Sequence, residues 1–124
     1  MQDIQLIIEA GDGGFWGRVT YDDNLIVDQA ETVEALQQNM KKLLLDFHEV
    51  TNVTFTLAYD LFAFFERYSY LKISKIAQEA GMNPTLLRHY AAGSKNPSAE
   101  QVKRIEDAVH RLAEDLANVH LVAA

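Results

Sequence analysis

Apolar residues recur with two periods along the chain, every second position in its first half and every third or fourth in its second. Ile4, Leu6 and Ile8 alternate with Asp3, Gln5 and Ile7, which predicts a strand. The cluster Gly11-Asp12-Gly13-Gly14 turns the chain into a second strand over residues 15–21, so the two form a hairpin. Asp22-Asp23-Asn24 turns it again into a short strand near residues 25–28. Thr32 is an N-cap for a helix reaching about residue 49, with an expected inward stripe of Val33, Leu36, Met40, Leu43 and Phe47. Residues 53–57 can add a fourth strand. The expected fold class is α+β: a small three- to four-stranded antiparallel sheet with one helix over residues 1–58, then an all-α domain over residues 59–124.

From Asp60 onward the pattern is helical. Leu61, Phe62, Phe64, Phe65 and Tyr68 predict a helix buried on most sides, which can serve as the first helix of the second domain. Ile76, Ala77 and Ala80 then form the apolar face of a short helix ended by Gly81, where glycine accepts a left-handed backbone at little cost. Asn83 is an N-cap type and Pro84 suits the first helical position, so a second short helix should run over residues 84–92 and stop at Gly93. Ser98 and Gln101 read as a capping box. They open a final helix with apolar residues at Val102, Ile105, Val109, Leu112, Leu116 and Val119. The far part of that stripe, Val109, Leu112, Leu116 and Val119, needs a covering surface, and a second copy of the chain is the expected one, giving a homodimer or higher oligomer.

Two short helices with these start, stop and turn signals have helix-turn-helix spacing, which makes duplex DNA the first partner to consider. Leu87 and Tyr90 can face inward, leaving Pro84, Thr85, Arg88 and His89 outward at the end of the second helix that would enter the major groove. Between Arg67 and Arg104 there are seven Lys or Arg residues and two acidic ones, Glu79 and Glu100, whereas residues 1–59 hold three basic and ten acidic side chains. A basic island inside a chain of formal net charge −7 suits local, site-specific docking better than coating of nucleic acid.

The stretch from Ile73 to Gly93 and the following G-S-K-N-P-S resemble the Xre/Cro-type helix-turn-helix family. The resemblance implies that Lys95 and Asn96 lie beside the DNA backbone. Many members carry a polar DNA-contacting residue at the start of the first helix, where this chain has Ile73, which shifts the expected phosphate contact to Lys72 and Lys75. In the first half, Asp12-Gly13-Gly14-Phe15-Trp16-Gly17 and the helix opening Glu31-Thr32-Val33-Glu34-Ala35 resemble the HicB-like antitoxin module. The chain departs from that family in having Tyr21-Asp22-Asp23-Asn24-Leu25 in place of its D-L-P-G type turn.

With the helix-turn-helix included, the resemblance covers essentially the whole chain. It implies a partial ribonuclease-H-like N-terminal module that neutralises a small messenger-cleaving ribonuclease toxin, and a C-terminal domain that represses the shared operon at a palindromic site. A ribonuclease must attract RNA phosphates and should be basic, which an acidic module would complement. Trp16, Tyr21, Asp22 and Asp23 are the candidate toxin contacts. The alternative is an orphan helix-turn-helix regulator with no toxin, and a further one is an interaction module that has lost DNA binding.

An enzyme is not expected, nor is a cofactor or metal. Glu9, Asp12, Asp22, Asp23 and Asp28 could be imagined as carboxylates holding metal ions in a ribonuclease-H-like fold, but no spacing singles out a converging set. His48, His89, His110 and His120 include no i, i+4 pair. The absence of cysteine leaves no disulfide framework and no thiolate site. No stretch approaches the roughly 20 apolar residues of a membrane span, and the expected location is the cytoplasm.

Overall fold

The alternating first half forms three strands, β1 (Gln2–Gly11), β2 (Gly14–Tyr21) and β3 (Asn24–Ala30), in a computed structural model that describes residues 2–124. Both connections are two-residue turns, since Gly11 pairs with Gly14 and Tyr21 with Asn24. Asp22 and Asp23 both have positive φ, 51° and 63°. A turn with two left-handed residues matches the twist of the strands it joins, and aspartate tolerates that backbone better than most side chains.

Helix α1 (Val33–His48) starts where Thr32 Oγ1 accepts the Ala35 N–H at 3.0 Å. Strand β4 (Val53–Tyr59) follows and pairs in parallel with β1, giving the sheet order β3-β2-β1-β4. The sheet is therefore mixed rather than wholly antiparallel. The two hairpins bring β3 into the direction of β1, and α1 carries the chain back to the starting end, so the next strand runs parallel to β1.

Helix and sheet meet on one face. Ile4, Leu6, Ile8 and Val19 from the sheet and Val33, Leu36, Met40 and Leu44 from α1 are buried in one cluster, closed by Val50 and Ala63. The expected stripe is right as far as Met40. Leu44 then occupies the core, Leu43 is packed at its margin, and Phe47 is 75 % exposed, since the inward side of the last turn is taken by Leu44 and by His48 against Tyr21. Gly17 makes the close approach possible, for a Cβ there would stand 2.7 Å from Leu36 Cδ2.

Helix α2 (Leu61–Arg67) is capped by Asp60, whose Oδ1 accepts the Ala63 N–H at 2.7 Å. Partial burial of this carboxyl raises its pKa against the opposing pull of the Ala63 N–H. The helix packs on β1 and β4, and Ala63 is completely buried in the sheet's core. Two compact units result, Met1–Arg67 and Tyr68–Ala124. The division falls at residue 67 rather than the expected 58, and α2 belongs with the first unit instead of opening the second. Its small Ala63 seats on the sheet, an orientation that the dense run of aromatic residues around it conceals.

The second unit contains α3 (Ile73–Ala80), α4 (Pro84–Ala91) and α5 (Ala99–Ala117), with α3 packed on both others. Its buried side chains are Ile76, Ala77 and Ala80 of α3, Leu87 and Tyr90 of α4, and Ile105 and Ala108 of α5. Among the described residues no helix is long and apolar enough to cross a membrane. Gly17→Ala is expected to destabilise the first unit by about 1–3 kcal/mol through overpacking against Leu36. The measurement is urea denaturation followed by the fluorescence of Trp16, the chain's single tryptophan.

Candidate nucleic-acid interface

Gly81 ends α3 in the left-handed region, φ 66°, and its N–H and that of Met82 return to the carbonyls of Gln78 and Ala77. Asn83 then starts α4 by accepting two backbone N–H groups on Oδ1, Thr85 at 2.8 Å and Leu86 at 3.3 Å, with Pro84 in the first turn. The expected turn Gly81-Met82-Asn83 is formed. On α4, Leu87 and Tyr90 are buried, while Pro84, Thr85, Arg88 and His89 are exposed. Thr85, Arg88 and His89 lie three and four positions apart, which puts them on one outward face.

Lys72 and Lys75 flank the start of α3, both exposed, and that helix has no side-chain cap. Its leading N–H groups and two ammonium groups thus share one end, a combination that favours an anion. Lys95 and Asn96 are exposed on the loop between α4 and α5.

The basic island is smaller than its composition implies. Arg104, although exposed, is turned onto the end of α3, donating from one Nη2 to the carbonyls of Ala80 at 3.1 Å and Gly81 at 2.7 Å. Arg111 holds Glu79 through its side chain at 3.2 Å and its carbonyl at 2.8 Å. Lys103 lies 3.5 Å from Asp107, and Arg67 belongs to the first unit, where it pairs with Glu34 at 3.0 Å. Among the described residues Lys72, Lys75, Arg88 and Lys95 have no acidic partner within ion-pair distance. These four are the cations expected to touch DNA.

No family model, curated protein or solved structure matches the chain.

His89 is less free than its outward position suggests. Ser94 Oγ donates to the His89 carbonyl at 3.1 Å and lies 3.2 Å from His89 Nδ1. Ser94 thus ties the ring's Nδ1 side to the end of α4, and which of the two atoms donates follows the ring's tautomer. Sequence reasoning missed this cap, and it missed Gln101's second role as acceptor from the Tyr90 hydroxyl at 2.6 Å.

The four candidate toxin contacts do not form one surface. Trp16 is 44 % exposed on the face of the sheet opposite α1, with its indole laid over Gly11. Tyr21 lies on the α1 side, packed at the margin of the core and edge-on to His48 at 5.3 Å between ring centres. The exposed Asp22 and Asp23 form the turn just beyond it. Five positions of strand separate Trp16 from Tyr21, about 17 Å along β2. Strand parity alone places those two side chains on opposite faces.

Among the described residues no three carboxylate or histidine side chains are placed to hold a metal ion. Glu9 is instead paired with Arg18 across the hairpin at 2.9 Å. Of the expected dimerisation residues, Val109 and Leu112 are half-buried on α5, Leu116 is 65 % exposed near its end, and Val119, 52 % exposed, lies past the helix.

Arg104→Ala is expected to lower the stability of the second unit by about 1–2 kcal/mol, because two helix-end carbonyls lose a charged donor. Thermal denaturation followed by circular dichroism reads this.

Proposed function

We propose that the chain is a HicB-like antitoxin that also acts as a sequence-specific repressor, binding operator DNA through α3 and α4 and a small basic messenger-cleaving ribonuclease through its acidic first unit. The observation that carries the DNA half is the coincidence of the four unpaired cations with the exposed end of α4 and the uncapped start of α3. Arg88 and Thr85 are the base readers, since arginine matches two acceptors of guanine and threonine can bond or touch a thymine methyl. Lys72, Lys75, Lys95 and Asn96 are the phosphate contacts, and His89 stands beside Arg88 on the same exposed face. In this reading the chain is not an enzyme and works in the cytoplasm.

One such unit makes few contacts and binds weakly. Joining two copies along the exposed end of α5, Leu116 and Val119 included, makes the second contact effectively intramolecular. The half-sites then lie about 34–36 Å apart, or a multiple of that, on a palindromic operator.

The toxin half is supported by charge and by the resemblance of the N-terminal motifs. Three basic side chains against ten acidic ones in residues 1–59 steer a basic partner toward this unit. The separation of Trp16 from Tyr21, Asp22 and Asp23 favours the alternative, an orphan regulator with no toxin, because it divides the candidate contacts between two surfaces. Purifying the tagged chain from its own host at native level, with mass spectrometry of stoichiometric partners and sequencing of bound DNA, decides between them. A small basic protein at fixed ratio supports the antitoxin, and DNA alone supports the orphan regulator.

Arg88→Ala is expected to relax base preference at a cost of about 1–3 kcal/mol, whereas Lys95→Ala should weaken binding to all sequences and lower the salt slope by about one unit. Fluorescence anisotropy over a salt series measures both. Unchanged affinity in both variants would overturn the assigned orientation of α4.

A further inference from the structure

Tyr90 is the last buried side chain of α4 before its C-cap, 5 % exposed, yet it ends in a hydroxyl. That hydroxyl donates to Gln101 Oε1 at 2.6 Å, and the same oxygen accepts the Ser98 N–H at 3.2 Å. The Gln101 N–H in turn donates to Ser98 Oγ at 3.2 Å, completing the capping box of α5. A capping box alone needs only the two Ser98 bonds. The Tyr90 bond is additional, and it crosses from α4 to the first turn of α5.

We infer that Gln101 is a positioning residue for DNA discrimination: through Tyr90 it fixes the rotation of α4 about its own axis, and through Ser98 it fixes the end of the loop that carries Lys95 and Asn96. This inference rests on the DNA-binding reading above. Arg88 and His89 are the two residues before Tyr90, so a turn of the Tyr90 side chain's anchor swings both. An α-helix advances about 100° per residue, and the base-facing groups are useful only while the buried anchor of the same turn is held. One oxygen holding both elements keeps base-reading and phosphate-contacting groups in a single geometry. Loss of the Tyr90 bond alone changes discrimination more than gross affinity, because the Ser98 bond that fixes the loop with Lys95 and Asn96 stays in place.

The experiment uses the full chain and a duplex that the wild type selects from a random-sequence pool, compared with a scrambled duplex of the same length and composition. Tyr90→Phe removes the tether and leaves the ring and the capping box in place. The ratio of selected to scrambled affinity should fall about three- to tenfold, the range of one hydrogen bond, with the salt slope unchanged. Gln101→Leu should give the same loss, and Gln101→Glu, whose carboxylate can accept both donors, should restore the ratio. Circular dichroism fixes a temperature at which each variant is folded, and Tyr90→Phe decides the matter if Gln101→Leu loses its fold with its cap. An undiminished ratio in Tyr90→Phe overturns the positioning role while leaving the DNA reading intact. A wild type that selects no sequence and shows no salt-dependent binding overturns the DNA reading itself, and this inference with it.

Discussion

The guanidinium of Arg104 holds the turn on which the second unit's outward face depends. Gly81 reverses the chain with a left-handed backbone, and such a reversal leaves the last carbonyls of α3 without helical partners. Arg104 satisfies two of them, Ala80 and Gly81, from the far side of the unit. Two residues later Asn83 starts α4, so the direction in which Thr85 and Arg88 leave the surface is inherited from that anchored turn. Arg111 repeats the device on the carbonyl of the preceding residue, Glu79. Arg104, a cation that the composition count assigns to an anionic partner, is therefore a fastener of its own unit.

The first unit is governed by a different constraint, a four-stranded sheet with helices on one face only. β1 lies between β2 and β4 and supplies Ile4, Leu6 and Ile8 to the core, whereas its other face carries Asp3 and Glu9. Those two acids are occupied: Asp3 accepts the Thr54 and Thr56 hydroxyls at 3.1 and 2.6 Å, and Glu9 accepts Arg18. On the uncovered face the Glu9 charge is thus balanced by Arg18, and Asp3 is held by two hydroxyls. Asp22 and Asp23 are exposed in the turn, where both take a left-handed backbone. The same two residues carry negative charge outward and set the register of β2 against β3, so a substitution there disturbs both.

Much of this was legible in the sequence because it is written locally. Thr32, Asn83 and the Ser98–Gln101 pair cap the helices they were expected to cap, and Gly81 and Gly93 take the left-handed backbone expected of them. What was not legible is set by partners distant in the chain. The parallel pairing of β4 depends on where α1 delivers the chain, and Phe47 keeps the periodicity of a buried residue although the core ends before reaching it. The allegiance of α2 turns on one alanine seated against the sheet. The same limit applies in the second unit: exposure of Arg88 and Lys95 follows from their places on helix and loop, whereas the anchoring use of Arg104 follows from carbonyls more than twenty positions away.

A chain of net charge −7 that approaches a polyanion must do so through a small region whose local field differs in sign from the whole. At physiological ionic strength the screening length is about 8 Å, so a phosphate near the start of α3 or the loop after α4 responds to the cations within that reach. Lys72, Lys75, Arg88 and Lys95 are few, and few contacts give little counterion release. In the proposed reading, discrimination rests on the fit of α4 to base edges, and the rigidity of α4 is then the quantity that matters. The Asn83 cap, the His89–Ser94 pair and the Tyr90–Gln101 bond all fall on that one short helix. An isolated eight-residue helix is far below the length at which a helix is stable in water, so its shape is owed to the burial of Leu87 and Tyr90 together with the bonds at its two ends.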